Sequence, residues 1–182
     1  FTLRVSSVLF GCAVIVVWFW IVRKLVRNDA TALLTSGLLA CDFVLVRSGA
    51  VGRMDMLCAA LGFGGLAAYL VLRERNINTA SFAGHALVAA SVFTHPNGVM
   101  HFLGLMFLMF YLDWGRVRIP QLALGALPYL AIGACWGLYI AQAPDLFRAQ
   151  FGGNASGRAG GLSHPLLALK REIQEKYLGA TT

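Results

Sequence analysis

The sequence predicts an all-α protein, a polytopic membrane helix bundle with about six transmembrane helices and one amphipathic helix outside the membrane. Composition is the first ground. Of 182 residues, 58% are hydrophobic and 13% charged, with mean hydropathy +0.70; soluble domains carry about 25% charged residues. Segmentation is the second, because the apolar residues gather at 5–22, 30–46, 54–72, 81–94, 98–112 and 122–141. The third is where the charge lies. Basic residues cluster in short stretches between the apolar segments, as they do in loops that orient a membrane protein. The net charge of +7 therefore marks topology and not a nucleic-acid partner.

A helix needs about 20 apolar residues to cross about 30 Å of hydrocarbon. The first, third and sixth segments meet that length, and the second is marginal. The first is no signal peptide, since it is long and runs into RKLVR at 23–27 instead of small residues. With no starting Met and a polar end, the chain reads as the middle of a larger membrane protein. The fourth and fifth segments are short and joined only by HPNG at 95–98. Their turn is expected at or below the membrane surface, where protein or a wet cavity must surround it. Cys12, Cys41, Cys58 and Cys135 lie in apolar segments with no CxxC spacing, and read as buried, inert thiols.

Alternating crossings place Arg23, Lys24, Arg27, Arg73, Arg75, Arg116 and Arg118 on one face, against Arg4, Arg47 and Arg53 on the other. The first face is expected to be cytoplasmic. The remaining polar chemistry then falls outside: the Arg47–Asp55 stretch, the HPNG turn and the tail. The chain divides accordingly into a partial transmembrane core, 1–141, and an extracytoplasmic loop, 142–182. Within that loop, 145–162 contains FGGNASGRAGG and reads as a mobile loop. Ser163 and Pro165 then open an amphipathic helix with Leu166, Leu169, Ile173 and Tyr177 on one face.

Four residues are candidates for an outer site. Asp55 falls in the first turn of the third segment, where a helix N-terminus favours an anion. It either caps that helix and pairs with Arg53 or Arg47, or lines a site with Arg53, since ionisable groups at membrane depth are functional candidates. Asp42 favours a structural pairing. His95 precedes Pro96, which pushes it towards extended backbone; it is either a turn residue, or a donor to an anionic ligand or proton carrier. His85 and His101 read as interhelical hydrogen-bonders. Arg158, among glycines, is placed to close over a phosphate.

VRSGAVGRMDMLCAALGFGGLAAYLVLRER at 46–75, followed by HALVAASVFTHPNGVMHFLGLMFLMFYLDW at 85–114, resembles the membrane glycosyltransferases of the GT-C superfamily. The nearest likeness is to bacterial family 39, which includes protein mannosyltransferases and lipid A aminoarabinose transferase. The elements that carry it are Arg53-x-Asp55, the basic end at Arg73–Arg75, and Thr94–Gly98. The likeness covers about residues 1–140. It implies an enzyme of the bacterial inner membrane that moves a sugar from a polyprenyl-phosphate carrier to an acceptor at the outer face. The family's catalytic acid lies in an outer loop upstream of this chain, so no catalytic base is assigned here and the chain alone would be inactive. Arg53, Asp55, His95 and Arg158 would serve the carrier phosphate, with Asp55 at a supporting acidic position and His95 where some relatives have Lys. The likeness leaves the sugar, the acceptor and a possible divalent metal open. A competing reading from the residues alone is a transporter core, with Asp42, Asp55 and His95 relaying protons and the HPNG hairpin as a broken-helix site.

Overall fold

The computed structural model describes residues 2–159 together with Lys170, Ile173 and Gln174, with side chains described to 153 and at those last three. Among these residues the regular structure is all helical: α1 (Thr2–Val26), α2 (Asp29–Ala40), α3 (Phe43–Val51), α4 (Asp55–Leu72), α5 (Ile77–Thr94), α6 (Gly98–Asp113), α7 (Ile119–Ala141) and α8 (Pro144–Ala159). The chain forms two compact units, Phe1–Gly133 and Ala134–Thr182.

Three helices, α1, α4 and α7, are long and apolar enough to cross a membrane, and the bent pair α2–α3 makes a fourth if it counts as one span. The six apolar segments all lie on helices, but not as six equivalent spans. The second was expected as one helix and is two, bent by 56°. Asp42 is the reason: its carboxylate accepts from the Leu45 N–H at 2.8 Å and starts α3 afresh. The fourth begins at Ile77, earlier than expected, because the Asn76 side chain accepts from the N–H groups of Asn78 and Thr79 at 2.8 and 3.2 Å. The fifth, α6, is a shorter apolar helix of 16 residues.

The ends of the other helices are also locally determined. Asn28 caps α2 through the Thr31 N–H at 3.0 Å. Arg27, just before it, holds φ 56°, the left-handed turn with which many helices end. Gly52 ends α3 with φ 75°, which costs a glycine little. Pro96 stops α5, and His95 before it is extended at φ −156°, ψ 142°.

Side-chain contacts fix the helix directions in the first unit. Ser7, near the start of α1, bonds the carbonyls of Ser48 and Arg53 at 3.4 and 3.5 Å. Lys24, near its end, bonds Glu74 after α4 at 2.9 Å. So α1 and α4 run parallel and pack directly on each other, with α5 returning beside α4 and α6 running parallel again. One end of this bundle gathers Ser48–Asp55 and His95, and the other gathers Lys24, Arg73, Asp113 and Gln121. Lys24 and Arg73 thus share one end of this unit, and Arg53 lies at the other.

The core joins Ile21 of α1, Leu66, Tyr69 and Leu70 of α4, Ala80 and Val88 of α5, and Leu105 and Met109 of α6. In a bilayer, lipid tails are as apolar as Leu, so helices associate through close packing of small residues. Gly65 supplies it here: a Cβ there would strike the Gly84 carbonyl and Val88 of α5. Much of the remaining apolar surface faces outward, including Leu9, Leu34, Phe107, Leu130 and Leu138.

Two expectations need correction. Residues 145–162 were expected as a mobile loop, yet α8 runs to Ala159. Pro144 occupies its first position, the Phe147 N–H bonds the Ala143 carbonyl at 3.1 Å, and Phe147 stacks on Phe151; these hold the turn against the two glycines. Of the four thiols only Cys58 is buried, while Cys12, Cys41 and Cys135 are exposed, because helix faces turned to lipid are as apolar as a core. The amphipathic helix expected after Ser163 lies outside the described residues, apart from Lys170, Ile173 and Gln174.

Candidate functional site

At one end of the first unit the turn Gly52–Met54 and the turn after α5 meet. Asp55 opens α4, where Met54 makes no side-chain cap and the first-turn carboxylate sits in the field of the helix N-terminus. One oxygen, Oδ2, lies 2.9 Å from Arg53 Nε, and the other, Oδ1, lies 3.2 Å from His95 Nε2. Asp55 and His95 are 21% and 24% exposed and Arg53 is 60% exposed. The carboxylate is thus shielded, and the guanidinium reaches outward with its terminal nitrogens.

The turn decides which histidine nitrogen carries the proton. The Asn97 backbone N–H donates to His95 Nδ1 at 3.2 Å, so Nδ1 is an acceptor and Nε2 carries the hydrogen directed at Asp55. Gly98 makes the turn possible, for a Cβ there would strike the backbone of Ser91 and Val92. His95 is therefore an orienting partner of Asp55 in this arrangement, with both nitrogens engaged. Arg53, 60% exposed, has the outward N–H groups.

Below the cluster a chain of polar contacts runs into the bundle. Cys58 Sγ lies 3.8 Å from the His95 carbonyl oxygen and 3.2 Å from Ser91 Oγ. Ser91 Oγ donates to the Cys58 carbonyl at 2.8 Å and lies 3.4 Å from His101 Nδ1. His101 packs edge-on against Phe63, 4.9 Å between centroids. His101 and His85, which lies 3.0 Å from the Tyr129 hydroxyl, are the interhelical bonders the sequence suggested. Asp42 caps α3, a structural role as expected.

Three of the four sequence candidates, Arg53, Asp55 and His95, are brought together. Arg158 lies in α8, in the second unit, and its side chain is outside the described residues. Among the described residues, no group of three or more His, Cys, Asp or Glu side chains is placed to hold a metal ion.

Sequence reasoning missed a second polar cluster at the opposite end, where the inner loops were assigned only orienting charges. Asp113, 2% exposed, accepts from the Tyr69 hydroxyl at 2.8 Å, from Arg73 Nε at 2.5 Å and Nη2 at 3.0 Å, and from Arg116 Nη1 at 3.0 Å. The signal was the lone acid in LDWGR closing an apolar run, with arginines on both neighbouring loops.

Family models, curated proteins and solved structures were compared with the chain. None matches.

Proposed function

We propose that this chain is part of a polyprenyl-phosphate-sugar-dependent glycosyltransferase of the GT-C type, in which α1, α2–α3, α4, α5, α6 and α7 are six crossings of a bacterial inner membrane. On this reading the Arg53–Asp55–His95 cluster lies at the extracytoplasmic face and receives the carrier phosphate. The observation that carries it is the meeting of Arg53-x-Asp55 with the Thr94–Gly98 turn, two stretches far apart in sequence, around one shielded carboxylate. Sugar transfer from a lipid phosphate needs cationic donors at the departing phosphate. Arg53 offers such a donor, and Asp55 holds it in place through Nε while leaving the terminal N–H groups for two phosphate oxygens. His95 holds Asp55 from the other side. No described residue is assigned as the base that deprotonates the acceptor hydroxyl.

The test is transfer from a radiolabelled polyprenyl-phosphate sugar by the full-length protein in lipid. Arg53→Ala is expected to lower kcat/KM by roughly 10- to 100-fold, the loss of one charge-assisted contact. Asp55→Asn is expected to lower it less, because the arginine survives but loses its anchor. Undiminished transfer in both variants would remove the cluster from the mechanism. Absence of transfer by the wild type, with proton-coupled uptake in its place, would support the transporter reading.

A further inference from the structure

The opposite end of the first unit holds an open pocket of about 620 Å³. Arg23, Lys24, Arg27 and Arg73 line it with Asp29 and Glu74; Arg73 is already paired with Asp113, so three cations face two carboxylates. Both carboxylates are in water-accessible ion pairs, Arg23–Asp29 at 2.7 Å and Lys24–Glu74 at 2.9 Å, with Asp29 64% and Glu74 55% exposed. Such pairs contribute little and exchange readily, so an entering anion competes with carboxylates that water already screens. The excess of one positive charge, left once Arg73 is paired with Asp113, sets its sign.

The rest of the lining is apolar. Leu70 forms part of the wall, and Trp20 carries the Arg23 guanidinium 5.3 Å from its ring centroid. Trp20, Arg23 and Lys24 close the last turns of α1, a helix long and apolar enough to cross a membrane. Tryptophan beside arginine and lysine at the end of such a helix marks the level where hydrocarbon gives way to headgroups. Arg27 adds a further feature. It lines the pocket at φ 56°, a conformation that usually selects glycine, and an arginine stands there instead.

We propose that this pocket binds the phosphodiester headgroup of an anionic glycerophospholipid, the cations taking the phosphate and the exposed Trp20 and Leu25 taking the first carbons of the acyl chains. Basic pockets between membrane helices recognise such headgroups by the same chemistry. The proposal stands apart from the transferase reading, since it uses none of the residues of the other end.

The experiment follows lipid retention by the full chain in native mass spectrometry from mixed micelles carrying equal phosphatidylglycerol and phosphatidylcholine. Wild type is expected to retain phosphatidylglycerol preferentially. Arg27→Gly is the informative variant, because glycine adopts the left-handed turn more easily. It should fold at least as stably while losing about fivefold in phosphatidylglycerol retention, one surface cation's share. Glu74→Gln, which removes a competing carboxylate, is expected to raise retention, and Arg47→Gln, whose guanidinium lies over Phe43 at 5.9 Å away from the pocket, is expected to leave it unchanged. Equal retention of the two lipids by wild type would overturn the proposal, as would equal losses in Arg27→Gly and Arg47→Gln. Displacement of the lipid by millimolar glycerol 3-phosphate would also overturn it, by showing a site for free phosphate.

Discussion

Replacing Asp113 by alanine is expected to destabilise the first unit by about 3–5 kcal/mol, the usual loss when one partner of a buried ion pair is removed. The magnitude follows from who is stranded. Arg73 is 19% exposed on its side chain and reaches Asp113 through two nitrogens, at 2.5 and 3.0 Å. Its only other protein acceptor among the described residues is the Leu112 carbonyl at 3.3 Å, so the variant leaves a half-hidden guanidinium without its counter-ion. The Tyr69 residue, 0% exposed, loses the acceptor of its hydroxyl at the same time. Tyr69→Phe removes one hydrogen bond to a charged group but leaves both arginines on the carboxylate, and should cost about 1.5 kcal/mol. Arg116→Ala should cost about 1 kcal/mol or less, because its side chain is 48% exposed. The assay is the unfolding free energy in mixed micelles titrated with dodecyl sulfate. The expected order is Asp113→Ala, then Tyr69→Phe, then Arg116→Ala. A loss below about 1 kcal/mol for Asp113→Ala, or one no larger than that of Arg116→Ala, would refute the claim that this cluster holds α4 to α6.

Further expectations follow from single contacts. Gly65→Ala should cost about 1–3 kcal/mol, since the added carbon meets the Gly84 carbonyl oxygen and the Val88 side chain. Gly37→Ala, with nothing within 4 Å, should be neutral or stabilise by up to about 1 kcal/mol; the same unfolding titration compares the two. Asp42→Ala should cost about 1 kcal/mol through loss of the α3 cap and loosen the bend, which spin-label distances across α2 and α3 would report. The hydrogen bond from Lys24, and its charge, hold the Glu74 carboxyl below its ordinary 4.5. Because the folded value lies below the unfolded one, this contribution to stability is present above the ordinary value and fades as pH falls through the folded one. In Lys24→Ala the Glu74 midpoint followed by NMR should move up; an unmoved midpoint would show that Lys24 does not cause the shift.

The helices were legible because their signals are local. Six apolar segments are enough to place α1, α4, α6 and α7 within a few residues. The proline at 96 marks a boundary that any chain would obey, whereas the Asn76 cap that starts α5 at Ile77 was not read from the sequence. The bend at Asp42 was harder to see, because an acid inside an apolar run is compatible with either a pairing or a cap. Which of them wins depends on whether the Leu45 N–H is free to donate to it. The helix α8 was misjudged from its glycines at 152 and 153, which follow PDLFRAQF, where Phe147 stacks on Phe151.

The candidate site was legible as residue types but not as roles. Arg53, Asp55 and His95 stand out because charge in a greasy chain is costly. Their juxtaposition could be inferred only from alternation of the spans. That His95 serves Asp55, with its other nitrogen held by Asn97, depends on the turn geometry that Pro96 and Gly98 produce. The Asp113 cluster was overlooked for the opposite reason. Taken along the chain, Arg73, Asp113 and Arg116 are loop charges, and only the packing of α4 beside α6 buries the acid among them.

By itself, then, the amino-acid order determined that this chain is helical and apolar, where α1, α4, α6 and α7 lie to within a few residues, and where charge interrupts the apolar segments. Those properties follow from hydrogen bonds and side-chain chemistry within a few residues of each position. Only the tertiary structure decided which charges share a partner: Asp55 with Arg53 and His95 at one end, Asp113 with Tyr69, Arg73 and Arg116 at the other. The physical reason is that an ion pair's strength depends on distance and burial, and both are set by how α4, α5 and α6 cross. The close approach of Gly65 to Gly84 allows that crossing.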